Sequence, residues 1–491
     1  MKGKKTLGIT ITIASIFLVA VVCFAAYHHM GEDDTGIFLS VYPDKAGTKL
    51  DNCNLCHKGG QAGGKSFGSC QWCHRADVYG YTVPHGNIDN TLNSYGLAYK
   101  ASGSSIAAIE AIANVDSDGD GYSNAAEIAA NRYPGDPNDD PSKVPAPHKV
   151  FTKAQLEKLP QHTQFMLMNT HKSADFYAEY TGVPMERLLN KIIRPSATEI
   201  IVYSPDGFSQ YHPLEPDPDP IFYHVFGTYA QAMFYYNKQA DITINPTSGW
   251  CDYSAPSVAG RTHGDSIVNP KGLKMLLAIK RDGQYLAPGI LNPSNKLDGE
   301  GPYRIVPPQK VPRPPDQKST APNAKDPNVW VWPMDDNADH SAGFSARSAT
   351  MIKVLPLPEG TTDIDVFEAG WPYIDAEKIV VYGAIDPVPN ILEKLVQLHD
   401  AIDDAHKSAF KQPFANKLAL KLKIDVVWWL VKTGHYDKAL QKIDNDILQK
   451  MNGCSQPSGT PDKNDWVKDC EIQKQFYWLT NEIMVLMRIV A

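Results

Sequence analysis

Two short motifs constrain this 491-residue chain more than its composition does: CNLCH from Cys53 to His57 and CQWCH from Cys70 to His74, 17 positions apart. Two thiols separated by two residues can bond the two vinyl groups of one porphyrin, and the adjoining histidine then reaches the iron. A zinc site built from the same Cys-x-x-Cys pairs is the competing chemistry, and it would leave His57 and His74 without a role. Two copies of the full pentapeptide favour covalent haem, two groups per chain. Their close spacing brings the two haems near each other and favours rapid electron passage between them. The second axial ligands are less constrained. No methionine lies between residues 31 and 165, which leaves His85 as the first candidate and His148 as a weaker one, with His28 and His29 upstream.

The N-terminus fits that chemistry. Lys2, Lys4 and Lys5 precede an uncharged stretch from Thr6 to Tyr27, about long enough to span a bilayer. Residues 1–30 therefore read as a signal anchor, with a cleaved signal peptide as the alternative. In both readings the positive end stays inside and the remaining chain is exported, to a periplasmic or cell-envelope location. Such a compartment is oxidising, and among the eight cysteines Cys454 and Cys470 are expected to form a disulfide. Cys251 is left as an odd thiol. A net charge of −8 and the lack of a basic block interleaved with aromatics argue against nucleic acid as a partner.

A second motif follows the haem-type pentapeptides. Asp116, Asp118, Asp120, Gly121, Tyr122, Asn124 and Glu127 match D-x-D-x-D-G-x5-E at every position. In such an EF-hand-like loop, side-chain oxygens at positions 1, 3, 5, 9 and 12 and the backbone carbonyl of position 7 surround calcium. The loop is expected to brace the haem module.

Texture along the chain divides it into a small, mainly helical module over 31–149, a mixed α/β domain over 150–388 and a helical bundle over 389–491. The first ends in a proline-punctuated linker, Pro134 to Pro147. Thr152-x-x-Gln155 is a capping box. Ala197 to Ser204, Gly272 to Leu286 with an Asp282-Gly283 turn, Ala349 to Leu357 and Ala376 to Ile385 read as strands. After Pro389, apolar residues recur at three- and four-residue spacing, and Gly434 is a natural helix stop. Trp428 and Trp429 fit core packing.

The haem module followed by NVDSDGDGYSNAAEIAANRYPGDP resembles exported cytochromes of metal- and sulfate-respiring bacteria. GEGPYRIVPPQ (Gly299 to Gln309) carries the motif of the GEGP motif-containing diheme proteins, and the layout from Asp51 to Ala491 is similar to theirs. The middle domain resembles the molybdopterin-binding fold of sulfite oxidases through YTGVPMERLL, IIVYSPDGFSQYHPLE, MLLAIKRDGQYL and GEGPYRIVP in that order. That likeness implies a mixed α/β architecture, not the cofactor. The segment where those enzymes carry a molybdenum-ligating cysteine is QFMLMNTHKSADFYAEY here, without one, so molybdopterin is not expected. The resemblance implies an electron carrier with redox protein partners in the cell envelope. A molybdopterin-dependent oxidoreductase using the haems as a relay is the alternative. Within the GEGP loop, Gly299, Gly301 and Pro302 suit a tight turn, and Glu300 and Arg304 are placed to line a pocket. Arg187, Arg261 and His263 carry no spacing signal.

Overall fold

Runs rich in β-branched and aromatic residues between 148 and 383 form two sheets that share one core. The computed structural model describes residues 34–51, 53–58, 60–62, 65–67, 92–168, 175–205, 208–216, 223–227, 229, 234–235, 251–252, 256–262, 265–267, 269–289, 298–309, 341–365, 373–374, 376–455 and 459–491. The N-terminal apolar stretch, the second Cys-x-x-Cys-His motif, His85 and His263 lie outside them.

The first sheet has five strands in the order His148–Thr152, Lys378–Gly383, Met351–Leu355, Glu199–Tyr203, Ser209–Pro213. Met351–Leu355 and Lys378–Gly383 run parallel, and the other neighbours are antiparallel. Glu199–Tyr203 reads EIIVY and is buried at every position, as an inner strand covered on both faces must be. The second sheet is built on the ten-residue strand Asp175–Pro184, which pairs antiparallel with His162–Met168 and with Leu276–Arg281. Arg304–Val306 extends it beyond Leu276–Arg281, which turns back into Gln284–Tyr285 at Asp282-Gly283, both at positive φ. Val183, Leu277 and Ile305 from this sheet meet Ile200, Val202, Ile352, Val354, Ile379 and Val381 from the other. Each fully buried aliphatic side chain of this kind contributes about 1.5–3 kcal/mol.

The C-terminal region is helical, with helices Val388–Asp404, Pro413–Lys432, Tyr436–Asp446 and Cys470–Arg488. Ile391, Leu395, Leu398 and Ile402 on the first, and Leu420, Ile424, Val427 and Val431 on the second, form stripes facing a common core. Gly434 follows the second helix at φ 78°, where a Cβ would be strained. The expected disulfide Cys454–Cys470 is present. The expected core role of the tryptophans is half right. Trp428 packs against the core, whereas Trp429 is 56% exposed.

The N-terminal module gathers Phe38, Leu50, Leu55, Tyr95, Tyr99, Ile109, Ile112, Ile128 and Tyr133 into its own core. The proline-punctuated segment after it is more than a linker. Val144–Pro145 pairs in parallel with Thr361–Thr362, and Val144 and Ala146 are buried, because these apolar side chains supply the anchors a free loop lacks. The build is therefore multidomain-like, with mixed α/β content and a C-terminal helical region. No helix among the described residues is long and apolar enough to cross a membrane.

Candidate functional site

The first Cys-x-x-Cys-His motif folds as a single tight turn. Cys53–Leu55 is a 3-10 turn in which the Cys53 carbonyl accepts from the amides of Cys56 (3.2 Å) and His57 (2.8 Å). That closure brings positions 53 and 56 to one side of the turn and releases His57 into an antiparallel bridge with Leu92. Both cysteines are half-buried.

Asn93 holds the turn. Its backbone amide donates to the Cys56 carbonyl (2.8 Å), and its Nδ2 donates to the carbonyls of Asn54 (3.2 Å) and Leu55 (3.0 Å). Its Oδ1 accepts from Gly96 N (2.9 Å), so the same side chain caps the helix Ser94–Ala101. Two glycines let the chain close around it. A Cβ on Gly96 would stand 2.3 Å from the Cys56 carbonyl oxygen, and one on Gly135 would stand 2.5 Å from the Asn93 amide. Sequence reasoning passed over Asn93, although Asn before an apolar-periodic run is an N-cap signal. Next to it, Tyr95 is buried, and its hydroxyl has no partner among the described residues. Burial, with Cys56 nearby, holds that phenol far above its ordinary pKa. The turn thus offers two thiols and one imidazole from adjoining positions, the donor set that covalent haem attachment uses, with an orphaned buried hydroxyl close by.

The acidic loop adopts the geometry its motif calls for. Asp116 accepts from Gly119 N (2.7 Å) and Gly121 N (2.9 Å), and Asp120 accepts from Tyr122 N (2.8 Å). One carboxylate oxygen from each of Asp116, Asp118 and Asp120 lies within 4.8 Å of the others. Gly119 and Gly121 take positive φ, which lets the loop turn so sharply. Glu127, on the helix Asn124–Ala129, is fully buried with both oxygens unpartnered, as are Asp118 Oδ2 and Asp120 Oδ2. Burial and then the neighbouring Asp118 and Asp120 push Glu127 up to about 9, and burial lifts Asp118 to about 6. The Arg132 guanidinium does not relieve Glu127, since it turns to Lys143 O, Asp139 and Asp365. Three carboxyl groups with unspent oxygens, gathered beside Asp116 and without a countercharge, fit a hard divalent cation. Tyr122 offers its backbone carbonyl and leaves its ring exposed. Asn124, expected at the ninth ligand position, spends its amide on the loop. Its Nδ2 donates to Ile112 O (2.8 Å) and Ser117 Oγ (2.9 Å), and its Oδ1 accepts from Ser117 N (3.3 Å).

The two sites are joined, and both are tied to the rest of the chain, by buried charge. Lys49, four residues before Cys53, is fully buried and donates to Asp139 Oδ2 and Thr362 Oγ1, each at 2.7 Å. Asp139 also accepts from Tyr133 N (2.9 Å), and Arg132 lies 3.6 Å from Asp365. Asp363, beside Thr362, pairs with Lys353 (2.6 Å) and accepts from the Tyr382 hydroxyl (3.0 Å). At the start of the C-terminal helices the His148 amide donates to Asn390 Oδ1 (3.1 Å). His148 itself is an exposed strand residue here.

The GEGP loop is a brace. A Cβ on Gly299 would stand 2.6 Å from Pro288 O and one on Gly301 2.3 Å from Leu286 O, so close strand approach, rather than turn geometry, requires these glycines. Glu300 pairs with Arg281 (2.7 Å) and with buried Arg304 (2.8 Å), whose Nη1 also donates to the Tyr180 hydroxyl and whose Nε donates to Ser345 Oγ. These arginines hold Glu300 below the usual carboxylate range. The expected pocket residues thus satisfy one another. His212, also passed over, is buried with Nδ1 3.2 Å from Tyr223 O and Nε2 unpartnered, and burial pushes it down to about 3.

No protein-family model matches the chain, and no curated protein and no solved structure does.

Proposed function

We propose that this protein is an exported diheme c-type cytochrome of the GEGP motif-containing type, which transfers electrons to and from redox proteins in the cell envelope. The observation that carries this reading is the doubled Cys-x-x-Cys-His motif, with the first copy folded as a turn clamped by Asn93 and Gly96. Cys53 and Cys56 would bond one haem and His57 would ligate its iron; Cys70, Cys73 and His74 would serve the second. Bound haem supplies a one-electron couple. The chain's own part is to hold the histidine and thiols in register, which the Asn93 clamp does, and to exclude water around them with the Phe38–Tyr133 core. Calcium at Asp116, Asp118, Asp120, Tyr122 and Glu127 would brace that module against the Lys49–Asp139 junction. The N-terminal segment would hold the protein at the outer face of the inner membrane, and the α/β domain, in a sulfite-oxidase-like arrangement, would present the surface for a redox partner.

The test is a reduced pyridine haemochrome spectrum of purified protein with haem quantified per chain. About two c-type haems per chain are expected from the two attachment motifs. Stoichiometric zinc in place of haem sinks the reading, and stoichiometric molybdenum replaces the electron carrier with an oxidoreductase.

A further inference from the structure

One helix of the C-terminal region carries apolar side chains on both faces. In Pro413–Lys432, Leu420, Ile424, Val427 and Val431 face the core. On the opposite side Phe414 (75% exposed), Leu418 (60%), Leu422 (55%), Val426 (44%) and Trp429 (56%) stand in solvent. Their spacing of four, four, four and three places them on one continuous stripe along the helix. A surface helix ordinarily turns polar residues outward, and a contiguous apolar patch of this kind marks a contact surface.

Charge and chain length point to the occupant. The helix contains four lysines and a single acidic residue, Asp425, in a chain of net charge −8. Lys421 and Lys423 are bridged to Asp403 and Asp446. At the two ends the cations are differently placed. Lys407 Nζ lies 4.7 Å over the Phe414 ring, Lys411 Nζ donates to the Asp462 carbonyl, and Lys432 Nζ lies 4.4 Å over Trp428. Lysines and aromatics therefore bracket an apolar strip at both ends, the arrangement of a helix lying in the membrane–water interface. A second copy seated on the same face would set these lysines against their like. Thr6 to Tyr27 ends seven residues before Asp34, so an inserted segment would hold Asp34 within about 25 Å of the bilayer at full extension and keep the chain at the membrane.

We infer that the Pro413–Lys432 helix rests on an anionic bilayer, with Phe414, Leu418, Leu422, Val426 and Trp429 among the acyl chains and Lys407, Lys411 and Lys432 at the phosphates. This contact rests on the membrane-tethered reading and adds a second attachment point, which fixes the orientation of the haem module relative to the membrane.

The experiment uses the full haem-loaded chain with Leu422 replaced by photoreactive benzoylphenylalanine, reconstituted in vesicles of equal parts phosphatidylglycerol and phosphatidylcholine. After flotation and illumination, a lipid adduct at position 422 is expected. The exposed-face changes Leu418→Asp and Val426→Asp should lower its yield at least about tenfold while the haem spectrum stays unchanged. A cross-linked dimer, or an adduct to residues 6–27 of the same chain, overturns the inference by naming another occupant. Flotation without any adduct overturns it while leaving the tether standing. Failure to float overturns the tether and the inference together.

Discussion

Asn93 concentrates several duties in one side chain: two bonds to the first Cys-x-x-Cys-His turn and a helix cap. Asn93→Ala is expected to destabilise the N-terminal module by about 2–3 kcal/mol, a lost cap plus buried carbonyls left unpaired. Denaturant titration followed by circular dichroism measures it, and an unchanged midpoint sinks the clamp. Gly96→Ala acts by sterics, because its Cβ would meet the Cys56 carbonyl at 2.3 Å and the backbone must shift. A cost of about 1–3 kcal/mol and reduced haem incorporation per chain are expected. His212 gives a pH signature. Its native pKa, pushed down to about 3, lies below the unfolded value of 6.5, so between these limits only the unfolded chain takes up the proton. Its contribution is full above about pH 6.5 and is lost as pH falls, at up to about 1.4 kcal/mol per unit. Stability curves for His212→Gln should lack that slope, and a slope unchanged by the substitution would place its origin elsewhere.

At the level of elements, the acidic loop and the helix that follows it behave as one unit. Without a cation, Glu127 is buried among carboxylates with both oxygens unspent, so metal removal should loosen the loop and the helix Asn124–Ala129 together. Calcium at a hundredfold excess over its dissociation constant is expected to add about 2.7 kcal/mol of stability. Glu127→Gln should abolish that gain while leaving the metal-free protein folded, since Glu127, pushed up to about 9, is already uncharged there at neutral pH and the amide has the same shape. Calorimetric melts with calcium and with chelator decide this, and identical melts for the natural chain would rule the site out. The helix Pro413–Lys432 shows the opposite relation between pattern and environment. Its core-facing stripe was legible from periodicity, whereas its second stripe was absorbed into the same apolar count, which is why Trp429 read as core. Periodicity reports that a face is apolar and does not report what covers it.

For the whole molecule, the junction around Lys49 matters most. A fully buried ammonium paired with Asp139 and Thr362 fastens the N-terminal module to the short strand Thr361–Thr362, while Arg132 and Asp365 bridge the same boundary. Removing one partner of such a pair leaves an uncompensated buried charge. Lys49→Met is therefore expected to cost about 3–5 kcal/mol and to separate the unfolding of the N-terminal module from that of the α/β region. Two transitions in place of one, seen by calorimetry and far-ultraviolet dichroism, would show the uncoupling, and a single unshifted transition would refute it. None of these partners is near another in sequence: Lys49 and Asp139 meet within the N-terminal module, where Tyr133 bonds to both, and Thr362 comes to them from the short strand that pairs in parallel with Val144–Pro145. The segment that supplies that pairing read as a linker because proline dominates it, and the burial of Val144 and Ala146 outweighed the prolines.

Local chemistry was readable wherever the needed atoms come from one short stretch. The Cys-x-x-Cys-His turn, the twelve-residue acidic loop, the Thr152 capping box, the Asp282-Gly283 turn and the inward stripes of the helices all depend on neighbours within a dozen positions. Residue type and spacing therefore determined them. Tertiary structure decided what depends on distant partners. It made Asn93 a clamp, turned the Asn124 amide into a loop staple, and set Glu300 between two arginines instead of in an open pocket. It also buried Lys49 between two modules and left the outer stripe of Pro413–Lys432 facing solvent. The physical reason is the same in each case: burial and pairing are properties of what surrounds a side chain, and spacing along the chain carries only the part of those surroundings that is local.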